Sequence, residues 1–303
     1  MNALSLLTKT YAWLHNYPSV PYWVLTPFRK IVRGTANIIL PYYLARPHKK
    51  RKIDGKEIIV SFTSFPARIN NVWQVVECML RQTYLPSKII LWLSKKQFPN
   101  FEDIPYSLRE REDELFEIRM VEGDIRSHKK YYYAVKEYPN SLIFLIDDDI
   151  YYPTDIIART MKAHKQHPNA VICNYGYHIG YTKEGDLLPY CKWEKEYYYS
   201  EASDLFFGSG GGTLLNPSLL RKELTNITKA IDLTPTADDI WLNAVVKLNN
   251  KRIILLKNGP ILPIRNPNNQ TLSSINRNLS QNDTQYKAVW SYINQFNHDT
   301  SEI

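Results

Sequence analysis

The sequence predicts an α/β protein with a Rossmann-like mixed, mostly parallel sheet flanked by helices. A basic, aromatic N-terminal arm precedes this sheet and a helical tail follows it. Three observations carry that expectation. From Glu57 onward, β-branched or fully apolar runs alternate with helix-spaced stretches. The apolar run Leu142-Ile143-Phe144-Leu145-Ile146 meets three aspartates with no spacer. Charge also changes abruptly near residue 57.

The arm comes first. Residues 1–56 hold ten Lys or Arg (Lys9, Arg29, Lys30, Arg33, Arg46, Lys49, Lys50, Arg51, Lys52 and Lys56) against Asp54 alone, a balance of +9. The remaining 28 basic and 29 acidic residues leave residues 57–303 at −1. The sequence pI near 9.1 is therefore a property of the arm. No nucleic-acid partner is expected, because that would call for basic residues spread over the folded face.

Tyr11, Trp13, Tyr17, Tyr22, Trp23, Phe28, Tyr42 and Tyr43 are interleaved in the arm with Pro18, Pro21, Pro27, Pro41 and Pro47. Short apolar stretches such as Ile38-Ile39-Leu40 lead into His48-Lys49-Lys50-Arg51-Lys52. Aromatic rings beside Lys and Arg suit the headgroup zone of an anionic leaflet. This predicts a cytoplasmic protein held peripherally on the inner face of the cell membrane. Packing of the same rings on the main domain, or on a second subunit of a homo-oligomer, is the alternative.

No 18-residue run is apolar enough to span a bilayer, and the mean hydropathy is −0.38. Met1 to Thr10 has neither the basic start nor the cleavage site of a secretory signal. Cys78, Cys173 and Cys191 are too few and too far apart for a zinc knuckle or a disulfide framework. They are expected to be buried free thiols in a reducing compartment. The Asn-x-Ser/Thr sequons at Asn226, Asn269, Asn278 and Asn282 are frequent by chance in an Asn-rich tail and do not establish secretion.

Beyond the arm, one domain is expected over residues 57–275. Ile58 to Phe62 reads as its first strand, and the apolar spacing of Val72 to Leu80 fits a helix that Pro86 ends. Lys88 to Leu93 is the second strand, and a charged helical stretch leads to a third at Glu117 to Val121. Tyr131 to Tyr138 is helical in spacing and broken by Pro139-Asn140. Ser141 to Ile146 follows as a fully buried strand, and residues 276–303 form a tail that is helical around Tyr286 to Gln295. In parallel sheets ligands bind at the carboxyl ends of the strands.

Asp147-Asp148-Asp149 stand at such an end. Adjacent carboxylates repel, and their burial is costly without a compensating cation. A hard divalent ion, Mg²⁺ or Mn²⁺ shared with a diphosphate, provides it; a solvated acidic turn is the alternative. Gly208-Ser209-Gly210-Gly211-Gly212 follows later, and its glycines let the backbone approach a ligand closely or form a flexible hinge. In Ala237-Asp238-Asp239-Ile240-Trp241-Leu242 two carboxylates open an amphipathic helix whose dipole favours their charge. The pair is a helix cap or a general base.

The order of SFTSFPAR, VWQVVECMLRQTYLPSKIILWLS, EIRMVEGD, LIFLIDDD, GSGGG and ADDIWL resembles a GT-A-fold glycosyltransferase. The resemblance covers about residues 57–275 and is strongest to the family 2-like enzymes of bacterial capsule and surface polysaccharide synthesis. The aspartate triplet matches the DxD signature, and ADDIW looks like the helix start that holds the catalytic aspartate in many such enzymes. Exostosin-like hexosaminyltransferases show a similar pairing of DDD with a later DDI. No residue matches the further His that some relatives use as a metal ligand.

The resemblance implies a metal-dependent transfer of sugar from a nucleotide-sugar donor, a UDP-sugar, to a glycan or lipid-linked glycan hydroxyl. Ser61, Phe62 and Thr63 would lie under base and ribose. Arg68 and Lys130 would reach the uracil edge or the diphosphate, or else be surface salt-bridge residues. Asp147 and Asp148 would border the nucleotide, with Asp147 facing the ribose or a metal-bound water. Asp149, with Asp147, would hold Mn²⁺ or Mg²⁺ between the phosphates. Gly210, Gly211 and Gly212 would flank the donor sugar, and Asp239, or else Asp238, would take the acceptor proton in an inverting displacement.

Two other classes use the same features. A haloacid-dehalogenase-like phosphatase or phosphotransferase also places a DxD at a strand end. It wants a small or hydroxyl residue soon afterwards, where Ile150-Tyr151-Tyr152-Pro153 stands. A non-catalytic membrane-associated scaffold would have no need of acidic residues at every station.

Overall fold

The computed structural model describes residues 2–15, 20–47, 55–196, 198–220, 222–257, 261–266 and 281–299. The basic cluster His48 to Lys52, the sequons at Asn269 and Asn278 and the 275/276 boundary lie outside the described residues.

The N-terminal segment forms two helices, α1 (Ala3–His15) and α2 (Tyr22–Leu44), packed together. Buried Arg29 on α2 donates to the Leu14 carbonyl near the end of α1 through Nε at 3.0 Å and Nη2 at 2.8 Å. One side of this pair joins the main core, where Leu4, Tyr11, Ala36, Leu40 and Leu44 are buried. The rings and aliphatic groups of the arm thus divide between a face packed on the domain and a face turned away from it. Arg81 of the domain donates to the carbonyls of Leu44 (3.0 Å) and Arg46 (2.6 Å), acceptors left open at the end of α2.

From there strands and helices alternate: β1 (Gly55–Thr63), α3 (Val72–Leu80), β2 (Pro86–Ser94), the single turn α4 (Tyr106–Arg109), β3 (Phe116–Val121), α5 (Lys129–Glu137) and β4 (Leu142–Ile146). Pro86 begins β2, where its missing N–H costs no ladder bond. The charged stretch before β3 is mostly turn: Pro105 caps the start of α4, which ends at Arg109, and Asp113 then accepts from the N–H groups of Leu115 (2.9 Å) and Phe116 (3.0 Å).

The second half adds β5 (Ile150–Tyr151), α6 (Ile156–Gln166), β6 (Val171–Cys173), β7 (Gly176–His178), β8 (Glu194–Glu196), β9 (Leu205–Phe207) and β10 (Gly211–Leu215). It continues with α7 (Ile227–Leu233), α8 (Asp238–Leu248), β11 (Ile253–Leu255), β12 (Leu262–Pro263) and α9 (Gln281–Asp299).

Seven strands form one sheet in the order β11-β6-β10-β4-β1-β2-β3. Strands β4, β1, β2 and β3 run parallel, β11 is parallel to β6, and β10 is antiparallel to both neighbours. This is the mixed, mostly parallel sheet flanked by helices that the sequence predicts. Strand β4 shows why its run is apolar throughout. Leu142, Phe144 and Ile146 enter the core layer shared with α3, α6 and the N-terminal helices, while Ile143 and Leu145 enter the layer shared with α5 and α8. Both faces are covered, so no polar alternation is needed.

A small antiparallel sheet, β8-β7-β9, stands beside the main one. Its Phe206 and the nearby Trp193 pack against Ile240 of α8 and Tyr286, Val289 and Ile293 of α9. Cys78 and Cys173 are buried as expected. Cys191 is exposed instead, in a 3₁₀ turn whose residues are all outside the core.

Candidate active site

At the carboxyl end of β4 the chain turns sharply, and the three aspartates separate in direction and in partner. Asp148 points inward: it accepts from Ser64 Oγ at 2.6 Å and from Arg68 Nη1 at 2.8 Å. The same Arg68 nitrogen lies 3.0 Å from Asp149 Oδ2. Asp147 accepts from Lys130 Nζ at 2.8 Å. Its backbone N–H donates to Tyr152 Oη at 2.7 Å, and that hydroxyl donates to the Gly210 carbonyl. Tyr152 therefore fastens the acidic turn to the glycine turn that precedes β10.

The second acidic station reaches the same place from α8. Asn243 on α8 pairs with both backbone groups of Phe207, accepting from its N–H at 3.0 Å and donating to its carbonyl at 2.8 Å. This clamps the helix to the end of β9 where Gly208 begins. From the other side, Gln285 of α9 accepts from Thr236 N (3.0 Å) and donates to Thr236 Oγ1 (2.9 Å), fixing the residues that lead into α8. Asp238 then lies 3.0 Å from Lys130 Nζ and accepts from Ser209 Oγ at 2.7 Å. One buried ammonium joins the two acidic stations.

These groups line a cleft of about 660 Å³, within the range of small-ligand sites. Thr63, Arg68, Lys130, Asp147, Asp148, Asp149, Gly210, Gly211, Asp238 and Asp239 all border it. Ser61 and Phe62 do not. Ser61 is buried, donates to the Lys130 carbonyl and accepts from Trp92 Nε1 at 2.9 Å, while Phe62 is a core side chain. Strand alternation sends Phe62 to the opposite face, so these two support the wall rather than form it. Gly212 also stands behind it, at φ +95°, where a Cβ would press on Phe144 and Ile156. Gly210 is required for a different reason: a Cβ there would overlap the Asp147 carboxylate.

The charges are unequal in their compensation. Burial opposes the charge of Asp238, but Lys130 and His128 outweigh it and hold this carboxyl below the usual range. Lys130 is raised, because Asp147 and Asp238 overcome its burial. Asp149 and Asp239 move the other way. Burial, together with Asp148 for the first and Asp238 for the second, pushes each up to about 7. Asp149 shares Arg68 with Asp148, and Asp239 makes no ion pair among the described residues. Two carboxylates with excess negative field thus face one cleft.

An oxygen-only donor set of this kind suits a hard divalent ion. Among the described residues no three His, Cys, Asp or Glu side chains are grouped to hold a metal by themselves. Mg²⁺ or Mn²⁺ at Asp149 and Asp147 would complete its shell with phosphate oxygens and water, as Mg²⁺ commonly does.

The far wall of the cleft was not legible in the sequence. Tyr175, Tyr177, Tyr190 and Trp193 meet there at ring-centroid separations of 4.8–5.8 Å. Lys195 Nζ stands 5.5 Å from the Tyr175 ring centre. His128 sits behind the acid pair, donating from Nε2 to the Thr234 carbonyl at 2.7 Å.

No protein-family model and no curated protein sequence matches the chain. Solved structures of similar fold include S. aureus TarS 1–349 in complex with UDP, at 13% identity and a TM-score of 0.41 over 68% of this chain and 59% of that one. They also include 4-diphosphocytidyl-2C-methyl-D-erythritol synthase (14% identity, TM-score 0.43, 74% and 99% of the two chains). UDP-glucose pyrophosphorylase complexed with UDP-glucose is a third (12%, 0.41, 80% and 99%). The chain spans less than two thirds of the TarS fragment's length.

Proposed function

We propose that this protein is a glycosyltransferase that moves a sugar from a nucleotide donor, a UDP-sugar, to a hydroxyl of a surface glycan or lipid-linked glycan. The observation that carries this reading is the convergence of Asp147–Asp149 and Asp238–Asp239 on one cleft, joined through Lys130. That pairing supplies a cation-seeking acidic turn for a diphosphate and a separate carboxylate for a proton.

The proposed roles follow from the differences in environment. Thr63 and Arg68 border the end where the nucleotide enters, and Gly210 and Gly211 let the donor sugar lie against backbone. A divalent ion bound at Asp149 and Asp147 would draw charge from the departing nucleoside diphosphate. Asp239, raised to about 7, is suited to accept the acceptor hydroxyl's proton near neutral pH. As that oxygen bonds to the anomeric carbon, the bond to the diphosphate breaks on the opposite face, which inverts the centre. Asp238, tied to Lys130 and Ser209, keeps its charge and holds the helix start in place.

A panel of nucleotide sugars tested by thermal shift, with and without EDTA, examines this directly, since a donor that binds the folded state raises its melting temperature. Stabilisation by one UDP-sugar, followed by its hydrolysis or transfer, supports the reading. Turnover of a phosphomonoester with no response to any nucleotide sugar would replace it with a phosphatase.

A further inference from the structure

Fourteen large hydrophobic side chains remain exposed in the described chain, and eight of them lie on α1 and α2. On α2 they form a stripe: Trp23 (76% exposed), Phe28, Ile31 (64%), Ile38 (67%), Ile39 and Tyr42 (75%). Steps of three, four and seven residues put Phe28, Ile31, Ile38 and Tyr42 along one side of the helix. Ala36, Leu40 and Leu44 occupy the other side and are buried in the core. Leu6 and Trp13, two turns apart on α1, extend the exposed surface. A helix apolar on both sides is expected to be covered on both. No helix among the described residues is long and apolar enough to cross a membrane.

Charge decides between the possible covers. Residues 1–53 contain no Asp or Glu, residues 1–56 carry +9, and the rest of the chain is −1. Lys30, Arg33 and Arg46 are exposed on α2 or at its end. A second copy of the chain seated on this stripe would bring two such basic segments together. An anionic lipid surface offers apolar depth and opposite charge at once.

We propose that the outer face of α2 lies in the plane of an anionic bilayer surface. Ile31 and Ile38 enter the acyl boundary, Trp23 and Tyr42 sit at headgroup level, and Lys30, beside Trp23, meets lipid phosphate. The contact is peripheral and does not depend on the chemistry assigned to the cleft.

Flotation of the full chain with vesicles of phosphatidylcholine alone, or mixed with phosphatidylglycerol, tests the proposal at low and high salt. Wild type should float with the mixed vesicles at low salt and much less with the others. Ile31→Asp with Ile38→Asp should weaken this by at least about tenfold, and Lys30→Ala by roughly fivefold. Melting temperatures should not change, because all three side chains are exposed. If the aspartates do lower the melting temperature, Ile31→Ala with Ile38→Ala takes their place. Equal flotation of wild type and the Ile31/Ile38 variant overturns the proposal. So does sedimentation equilibrium showing, without lipid, a wild-type dimer that the same variant converts to monomer.

Discussion

Lys130 Nζ lies 3.0 Å from Asp238 Oδ2, across a gap between α5 and α8 that nothing in their sequence positions connects. The same nitrogen reaches Asp147 at 2.8 Å. The ammonium is buried, so its charge is offset by these carboxylates rather than by water.

Lys130→Met leaves Asp147 and Asp238 facing each other without a cation. Breaking a buried pair on one side costs about 3–5 kcal/mol, so the midpoint of urea unfolding should fall clearly. Lys130→Met with Asp238→Asn removes one of the stranded charges and should recover part of that loss. A double variant no more stable than the single one would show that the two groups do not interact in folding.

Asp239→Asn should cut turnover by about 10²–10⁴-fold while leaving donor affinity nearly unchanged, since the lost group acts on the acceptor proton. Asp149→Asn should weaken both. Steady-state rates and calorimetric titration with UDP, with and without Mn²⁺, separate the two effects. Full turnover in Asp239→Asn with loss in Asp238→Asn would exchange the roles of the pair, and no effect in either would favour retention over inversion.

The rise of Asp239 to about 7 has opposite consequences for rate and for stability. Protonated Asp239 accepts no proton, so kcat/KM should rise with pH and level off above about 7. The folded state binds this proton more tightly than the unfolded chain, where the carboxyl titrates near 3.8. Its contribution to stability is therefore complete below pH 3.8 and lost as pH rises through about 7. Asp239→Asn, which does not titrate, should gain stability relative to wild type across that window. Parallel stability curves for the two proteins would show that the shift is absent.

Gly210→Ala should act on the site and on the ion pair beside it. The new methyl group would overlap the Asp147 carboxylate, which can swing away only by leaving Lys130. We expect a lowered melting temperature, because buried Lys130 loses one of its two carboxylates, together with a large loss of UDP affinity. Gly211→Ala would press on the Cβ of Tyr175 instead and should cost stability as well.

Much of this molecule is legible along the chain. Val72 to Leu80 is read as a helix and is one, and the run into Asp147 reads as a buried strand because apolar residues with no polar alternation require cover on both faces. The acidic triplet, the glycine turn and the acidic helix start each announce themselves by composition. Local pattern also determines that the N-terminal segment is basic and aromatic. It does not determine that the segment folds into two helices with one side in the core, since that depends on which apolar face meets the domain.

Only the tertiary structure decided what the site residues do. Ser61 and Phe62 look equivalent to Thr63 in sequence, yet strand geometry and the packing of Trp92 put them behind the cleft wall. The antiparallel entry of β10 between β4 and β6 brings the glycine turn beside Asp147, and no periodicity reports strand direction. Asn243 and Gln285 are ordinary helix residues until their amides meet Phe207 and Thr236. Four of the aspartates with shifted titration, Asp148 and Asp149 in one motif and Asp238 and Asp239 in the other, differ through burial and neighbouring charge. Carboxylate chemistry is written in the sequence; field and solvent access are set by distance in space, and distance in space belongs to the fold.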